Sequence, residues 1–165
     1  CWGEGSSKAL SLPIVPGVTF AGRIIQGDKL RRSGLNIGDR VISLVRVGAN
    51  SRHLCISRER LVKVPAEISD PASACCLPEL YLAAFQALHL NQSNSLRYRK
   101  SALNGKSVLV LGGDTAHGLA AIELAVAAGA TIVYGAGKEN HFGKLKEFGS
   151  FQVDRDPREW LARVA

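Results

Sequence analysis

The chain has 165 residues, of which 46% are hydrophobic and 21% charged, a globular composition with room for one ordinary domain or two small ones. No apolar run approaches the roughly 18 residues that a membrane span needs, so no membrane-spanning segment is expected. The net charge of +7 suits an anionic cofactor, an RNA or an acidic partner, and it equally suits an ordinary solvated basic surface.

The start of the chain and its cysteines bear on where the protein works. The chain begins at Cys1 and contains no methionine, which favours a processed product or a fragment of a longer chain, and no signal peptide is recognisable. No cysteine motif with zinc spacing is present, so no metal site is expected. Cys75 and Cys76 stand in an apolar run and are predicted to be buried. We therefore expect an intracellular, reducing compartment, either the cytoplasm or an organelle matrix.

Short apolar runs separated by glycine and proline turns dominate the first part of the chain. After an irregular lead-in over residues 1–12, we expect strands at 18–25, 41–47, 53–57 and 61–64. This spacing is typical of a small β barrel or sandwich.

The pattern changes near Ser69. The run Ser69-Asp-Pro71 is typical of a helix start, with a capping residue followed by proline in the first turn. Pro78 interrupts the apolar stretch that follows, so a second helix is predicted over 80–90. Residues 91–105 are predicted to form a basic surface loop that includes Arg97, Arg99 and Lys100.

Residues 107–134 predict a strand, a glycine turn, a helix and a second strand. The run 108–111 is entirely apolar, as in a parallel strand covered on both faces, and Gly129 ends the helix. Further helices are expected over 139–148 and 157–164, with a third strand at 151–153. A helix that begins after a glycine turn offers N–H groups and the positive end of its dipole to a phosphate. The segment therefore resembles the first βαβ unit of a dinucleotide-binding domain.

The glycine turn is the candidate cofactor site, and its residues do not all favour a ligand. Thr115 replaces the middle glycine of the usual spacing and adds bulk, and Asp114 adds a negative charge near the expected phosphates. Two interpretations stay open: the turn binds a dinucleotide, or the unit has kept its fold and lost its ligand. The candidate cofactor-binding residues are Gly112, Gly113, Thr115, Ala116, His117, Gly118 and Lys138.

Lys138 bears on which cofactor would bind. No acidic residue ends the second strand to select NAD through its ribose, whereas Lys138 could meet a 2′-phosphate, so NADP(H) is favoured if either binds. An exposed lysine at a helix start is the competing interpretation. Tyr81 and His117 are the candidate acid/base residues, but neither has a partner that the sequence identifies, so the catalytic residues stay unknown.

Six motifs, in order and spacing, resemble the medium-chain dehydrogenase/reductase superfamily, and most of all its zinc-free branch of quinone oxidoreductases and enoyl reductases related to zeta-crystallin. They are Pro16-Gly-Val-Thr-Phe-Ala-Gly22, Gly38-Asp-Arg-Val41, Gly48-Ala-Asn50, Leu61-Val-Lys-Val-Pro65, Ala83-Ala-Phe-Gln-Ala-Leu88 and the turn Gly112–Gly118. The resemblance implies an α/β chain with a partial GroES-like β domain over 1–68 and a partial Rossmann domain over 69–165. It also implies NADP(H)-dependent reduction of a quinone or an activated C=C bond.

This chain departs from the family pattern at several positions. Thr19 stands where zinc-dependent members have a glutamate, Ala83 stands where the family usually has a threonine near the nicotinamide, and Thr115 replaces a family glycine. The resemblance therefore leaves two hypotheses: an oxidoreductase, degenerate in part, or a non-catalytic supernumerary subunit of a larger organellar assembly. In both, a protein partner or further chain is expected to cover the edge of the parallel sheet, because open strand edges invite pairing.

Overall fold

The computed structural model describes residues 13–28, 30, 34–89, 99, 101–156, 158 and 161. The chain divides into two compact units, Cys1–Pro78 and Glu79–Ala165. The predicted domain boundary between residues 68 and 69 stays a prediction. The lead-in, Arg97, Lys100 and most of the helix predicted over 157–164 lie outside the described residues, and Arg99 is exposed.

The first unit contains a three-stranded antiparallel sheet in the order β1-β2-β3, formed by β1 (Thr19–Arg23), β2 (Arg40–Leu44) and β3 (Val62–Lys63). These are three of the four predicted strands. The fourth prediction, a strand at 53–57, is wrong, because that segment runs without pairing into a 3-10 turn at Arg58–Arg60. Leu54 stays 36% exposed, so the short apolar run there does not mark a buried strand.

The motif Pro16–Gly22 and the motif Gly48–Asn50 contact each other through their backbones beside this sheet. The N–H groups of Ala49 and Asn50 donate to the carbonyls of Gly17 and Pro16. Gly17 has a positive φ of 98°, and a Cβ there would lie 2.6 Å from Asn50 Oδ1, so the turn requires glycine. The Asp39 carboxylate accepts from Lys63 Nζ at 2.8 Å, which is the main cause of its lowered pKa.

A single helix, α1 (Pro71–His89), follows. Asp70 caps it as predicted, with its carboxylate accepting from the backbone N–H of Ser73 at 2.7 Å. The prediction that Pro78 separates two helices is wrong, because Pro78 lies inside α1. A proline removes only one N–H donor, and the helical hydrogen bonds on either side of it keep the helix continuous.

Cys75 and Cys76 were predicted to be buried, and this prediction is wrong. Ala74 faces the core of the first unit and is 1% exposed, and each further residue turns about 100° around the helix axis. Cys75 is therefore half-buried, with its Sγ donating to Thr19 Oγ1 at 3.4 Å, and Cys76 is exposed.

The second unit contains a three-stranded parallel sheet, as predicted. Its elements in chain order are β4 (Ser107–Leu111), α2 (Ala116–Ala127), β5 (Ile132–Gly137), α3 (Phe142–Glu147) and β6 (Phe151–Asp154), with a 3-10 turn at Glu139–His141 before α3. The strand order is β4-β5-β6, so β6 lies at an edge of the described sheet. Ile122, Ala125, Val133 and Leu145 form the centre of the core. None of the described helices is long and apolar enough to cross a membrane.

Candidate functional site

The candidate site lies where the three parallel strands end. The glycine turn follows β4, Lys138 follows β5 and Arg155 follows β6, because strands in parallel register end at the same edge of a sheet. Ligands of open α/β sheets bind at this carboxyl edge.

Each glycine of the turn has a role in the backbone itself. Gly112 has a positive φ of 70°, which favours glycine. A Cβ on Gly118 would lie 2.2 Å from the Gly112 carbonyl oxygen, and one on Gly113 would lie 3.1 Å from Gly135 Cα. The glycines therefore let α2 begin close to the sheet, and this packing alone accounts for them.

Thr115 acts as the N-cap of α2. Its hydroxyl accepts from the N–H of Gly118 at 3.0 Å and donates to the Gly112 carbonyl at 2.8 Å. The hydroxyl thus takes one of the donors that a phosphate would otherwise use. Ala116 and His117, the first residues of the helix, are exposed.

Asp114 was expected to add a negative charge near the phosphates, but its side chain is buried. Its side chain is 3% exposed and accepts from His141 Nδ1 at 2.9 Å, from the N–H of Lys138 at 3.2 Å and from an amino group of Arg155 at 3.1 Å. The bond from His141, then those from Lys138 and Arg155, hold the pKa of Asp114 far below its usual range, although burial opposes this shift. The charge is therefore internally neutralised.

Sequence reasoning missed His141 and Arg155. The signal was an acidic residue in a glycine turn with a basic residue after each of the next two strands. Only the register of the parallel sheet brings those three positions together.

Tyr81 of α1 is already bonded. Its hydroxyl donates to the Glu123 carboxylate of α2, and this bond, with burial and the negative charge, raises the pKa of Tyr81 to about 12. The phenol is therefore a poorer acid than an unperturbed tyrosine. His117 and Ala83 are both exposed, and the catalytic role of Tyr81 or His117 stays a prediction.

Among the described residues, no cluster of three or more histidine, cysteine or acidic side chains has the geometry to hold a metal. No family model matches the chain.

Comparison with curated proteins finds relatives of two kinds. A trans-enoyl reductase of Aspergillus japonicus is 31% identical over 87% of this chain and 44% of its own length. A quinone oxidoreductase-like protein 2 homologue of Nematostella vectensis is 28% identical over 91% of this chain and 38% of its own length. The chain thus spans less than half the length of these relatives.

Solved structures agree on the fold. The human synaptic vesicle membrane protein VAT-1 homolog-like protein matches 94% of this chain and 46% of its own, with a TM-score of 0.75 and 25% identity. A mycobacterial protein solved in complex with NADPH matches 95% of this chain and 47% of its own, with a TM-score of 0.71 and 22% identity.

The fold and its edge site define the chain as an α/β protein with an antiparallel sheet followed by a parallel βαβ sheet. The relatives make the class more specific and confirm the resemblance inferred from the motifs: the chain is related to the quinone oxidoreductase and enoyl reductase branch of the medium-chain dehydrogenase/reductase superfamily, over the part that it spans.

Proposed function

We propose that this protein is an NADP(H)-dependent oxidoreductase of the quinone or enoyl reductase type. The observation that carries the proposal is the start of α2, which follows a close-packed glycine turn at the carboxyl edge of a parallel sheet. The relatives named as enoyl reductase and quinone oxidoreductase-like support the reaction class.

The residues of the turn fit a pyrophosphate. The glycines let α2 begin close to the sheet, and the N–H groups of Ala116 and His117 lie at the positive end of the α2 dipole. Thr115 adds a side chain to the turn, and its hydroxyl takes the N–H of Gly118. We therefore expect the turn to bind pyrophosphate less tightly than it would with glycine at this position. The Asp114 carboxylate is buried, so it does not present its charge to the ligand.

NADPH, when bound, would supply a hydride to a quinone or to an activated C=C bond. The contribution of this chain is to position the cofactor by its phosphates. Lys138 follows β5 directly and is exposed, which suits recognition of a 2′-phosphate. The exposed thiols of Cys55 and Cys76 suit a reducing compartment, which we retain as a proposal.

Calorimetric titration with NADPH and NADH tests the cofactor. We expect NADPH to bind more tightly, and Lys138→Gln to weaken NADPH binding about tenfold, the effect of roughly one charge-assisted contact, while leaving NADH binding unchanged. Lys144→Gln, an exposed lysine on α3, is the matched control. Equal affinities for the two cofactors would refute the role of Lys138, and no binding of either would refute the dinucleotide site.

The non-catalytic subunit is the second candidate. Two observations favour it: Ala83 offers no hydroxyl, and the Tyr81 hydroxyl is held by Glu123. Absence of NADPH binding, together with stable association with a protein partner, would favour this alternative.

A further inference from the structure

We infer that Asp114 is a positioning residue, whose buried carboxylate holds Arg155 and His141 beside Lys138 as one recognition site for a 2′-phosphate. This inference rests on the proposed function and deepens it, because it adds residues that recognise the phosphate of NADP(H). Asp114 itself does not touch the ligand.

The Asp114 carboxylate accepts hydrogen bonds from residues that follow β5 and β6. Its Oδ2 accepts from His141 Nδ1 at 2.9 Å and from the N–H of Lys138 at 3.2 Å. An amino group of Arg155 donates to both oxygens, at 3.1 and 3.2 Å. A carboxylate with this many donors is held in one place, and it holds its partners in return.

Arg155 keeps donors that Asp114 does not use, and His141 keeps one ring nitrogen. A guanidinium has five N–H donors, and Asp114 engages one amino group of Arg155, whose side chain is 55% exposed. The His141 ring, 41% exposed, uses Nδ1 for Asp114 and keeps Nε2 for a second partner. Lys138 is exposed beside them. A guanidinium oriented by a carboxylate, with the Lys138 ammonium near it, suits the binding of an anion.

Three further acidic side chains and Arg158 lie at this edge. Asp156 is bonded by the Arg158 guanidinium at 3.0 Å, and Asp154 Oδ1 accepts the N–H of Asp156 at 2.7 Å. Glu139 is exposed and opposes an anion. Lys138, Arg155 and Arg158 share this edge with the carboxylates of Asp114, Glu139, Asp154 and Asp156, so phosphate recognition rests on the directed donors of Arg155 and Lys138 and not on a surplus of positive charge.

Two small probes separate the 2′-phosphate from the rest of the cofactor. Calorimetry measures the affinities of 2′,5′-ADP and 5′-AMP for the protein and for Asp114→Asn, Arg155→Gln and Arg158→Gln. Arg158 is the matched control, because its side chain is 87% exposed and pairs with Asp156 at the same edge. The readout is the ratio of the two affinities, because a purely structural defect would weaken both probes together.

We expect the unaltered protein to prefer 2′,5′-ADP by at least about tenfold. Arg155→Gln and Asp114→Asn should each reduce this preference at least about threefold without weakening 5′-AMP, and Arg158→Gln should preserve it. Arg155→Gln alters a half-exposed side chain, so it keeps the test valid if Asp114→Asn does not fold.

Three results would overturn the inference, and they differ in which other proposals they also refute. An unchanged preference in both Asp114→Asn and Arg155→Gln removes this inference alone. Equal affinities of the unaltered protein for the two probes also remove the role of Lys138. Failure to bind either probe removes the dinucleotide site itself.

Discussion

At the scale of single residues, Asp114 shows how a charge in a ligand-binding turn becomes part of the fold. A buried carboxylate is costly unless it is well bonded, and this one accepts from one backbone and two side-chain donors. Its partners follow β5 and β6, so it ties the glycine turn to both neighbouring strand ends. We therefore expect Asp114 to matter for stability whether or not a cofactor binds.

Asp114→Asn should lower the free energy of unfolding by about 2 kcal/mol near pH 6, because it removes charge-assisted hydrogen bonds to a buried group. The folded pKa of Asp114 is lowered, so its stabilisation is full above the unfolded value of about 3.9 and is lost as the pH falls below it. The difference between the unaltered protein and Asp114→Asn should therefore shrink toward pH 3. Urea unfolding at both pH values measures it.

Asp28→Asn is the control, because Asp28 is exposed in a loop of the first unit. A difference between the protein and Asp114→Asn that stays constant from pH 6 to pH 3 would contradict the assigned origin of the stabilisation.

At the scale of elements, α2 begins through a threonine cap rather than through a run of glycines. The Thr115 hydroxyl bonds both the first turn of the helix and the Gly112 carbonyl, so it joins the turn to the helix. The family glycine at this position would leave the N–H of Gly118 for a phosphate. The chain thus has a better-capped helix and fewer donors for a ligand.

Thr115→Ala should destabilise the protein by about 1 kcal/mol, the usual cost of losing an N-cap side chain, and Thr115→Ser should restore most of it. Thr131→Ala, an exposed threonine before β5, is the matched control. Chemical denaturation measures the changes, and equal stability of Thr115→Ala and the unaltered protein would show that the cap contributes nothing.

At the scale of the whole molecule, apolar side chains remain exposed around the parallel sheet. Leu111 is 68% exposed, Phe151 63% and Val126 44%, and Phe151 lies on β6 at the edge of the described sheet. Large exposed apolar residues near an open strand edge favour association. We therefore retain the prediction of a protein partner or further chain here; an RNA or acidic partner, suggested by the net charge of +7, also stays a prediction.

Light scattering coupled to size-exclusion chromatography tests this surface. We expect the protein to self-associate or to bind a partner, and Phe151→Lys to reduce association because it places a charge at the edge strand. The matched control is Val62→Lys, a similarly exposed residue on β3 of the first unit. A soluble monomer with a cooperative melt would contradict the expectation that this surface needs cover.

The sequence by itself determined the local elements of both sheets. Apolar runs and glycine stops located β4, β5 and β6, and the positive φ of Gly112, Gly129 and Gly149 agrees with glycine at those turns. Asp70 was recognisable as a cap because its bonds are local. Local signals failed where burial decides. The short apolar run within 53–57 forms no strand, and Cys76 follows apolar neighbours but is exposed.

Only the tertiary structure decided which distant side chains meet. Asp114, Lys138, His141 and Arg155 are separated by up to 41 residues, and the parallel register of β4, β5 and β6 brings them to one carboxylate. The bond between Tyr81 and Glu123 likewise depends on how α1 meets α2. Pairing across such separations depends on packing, which periodicity along a chain does not encode.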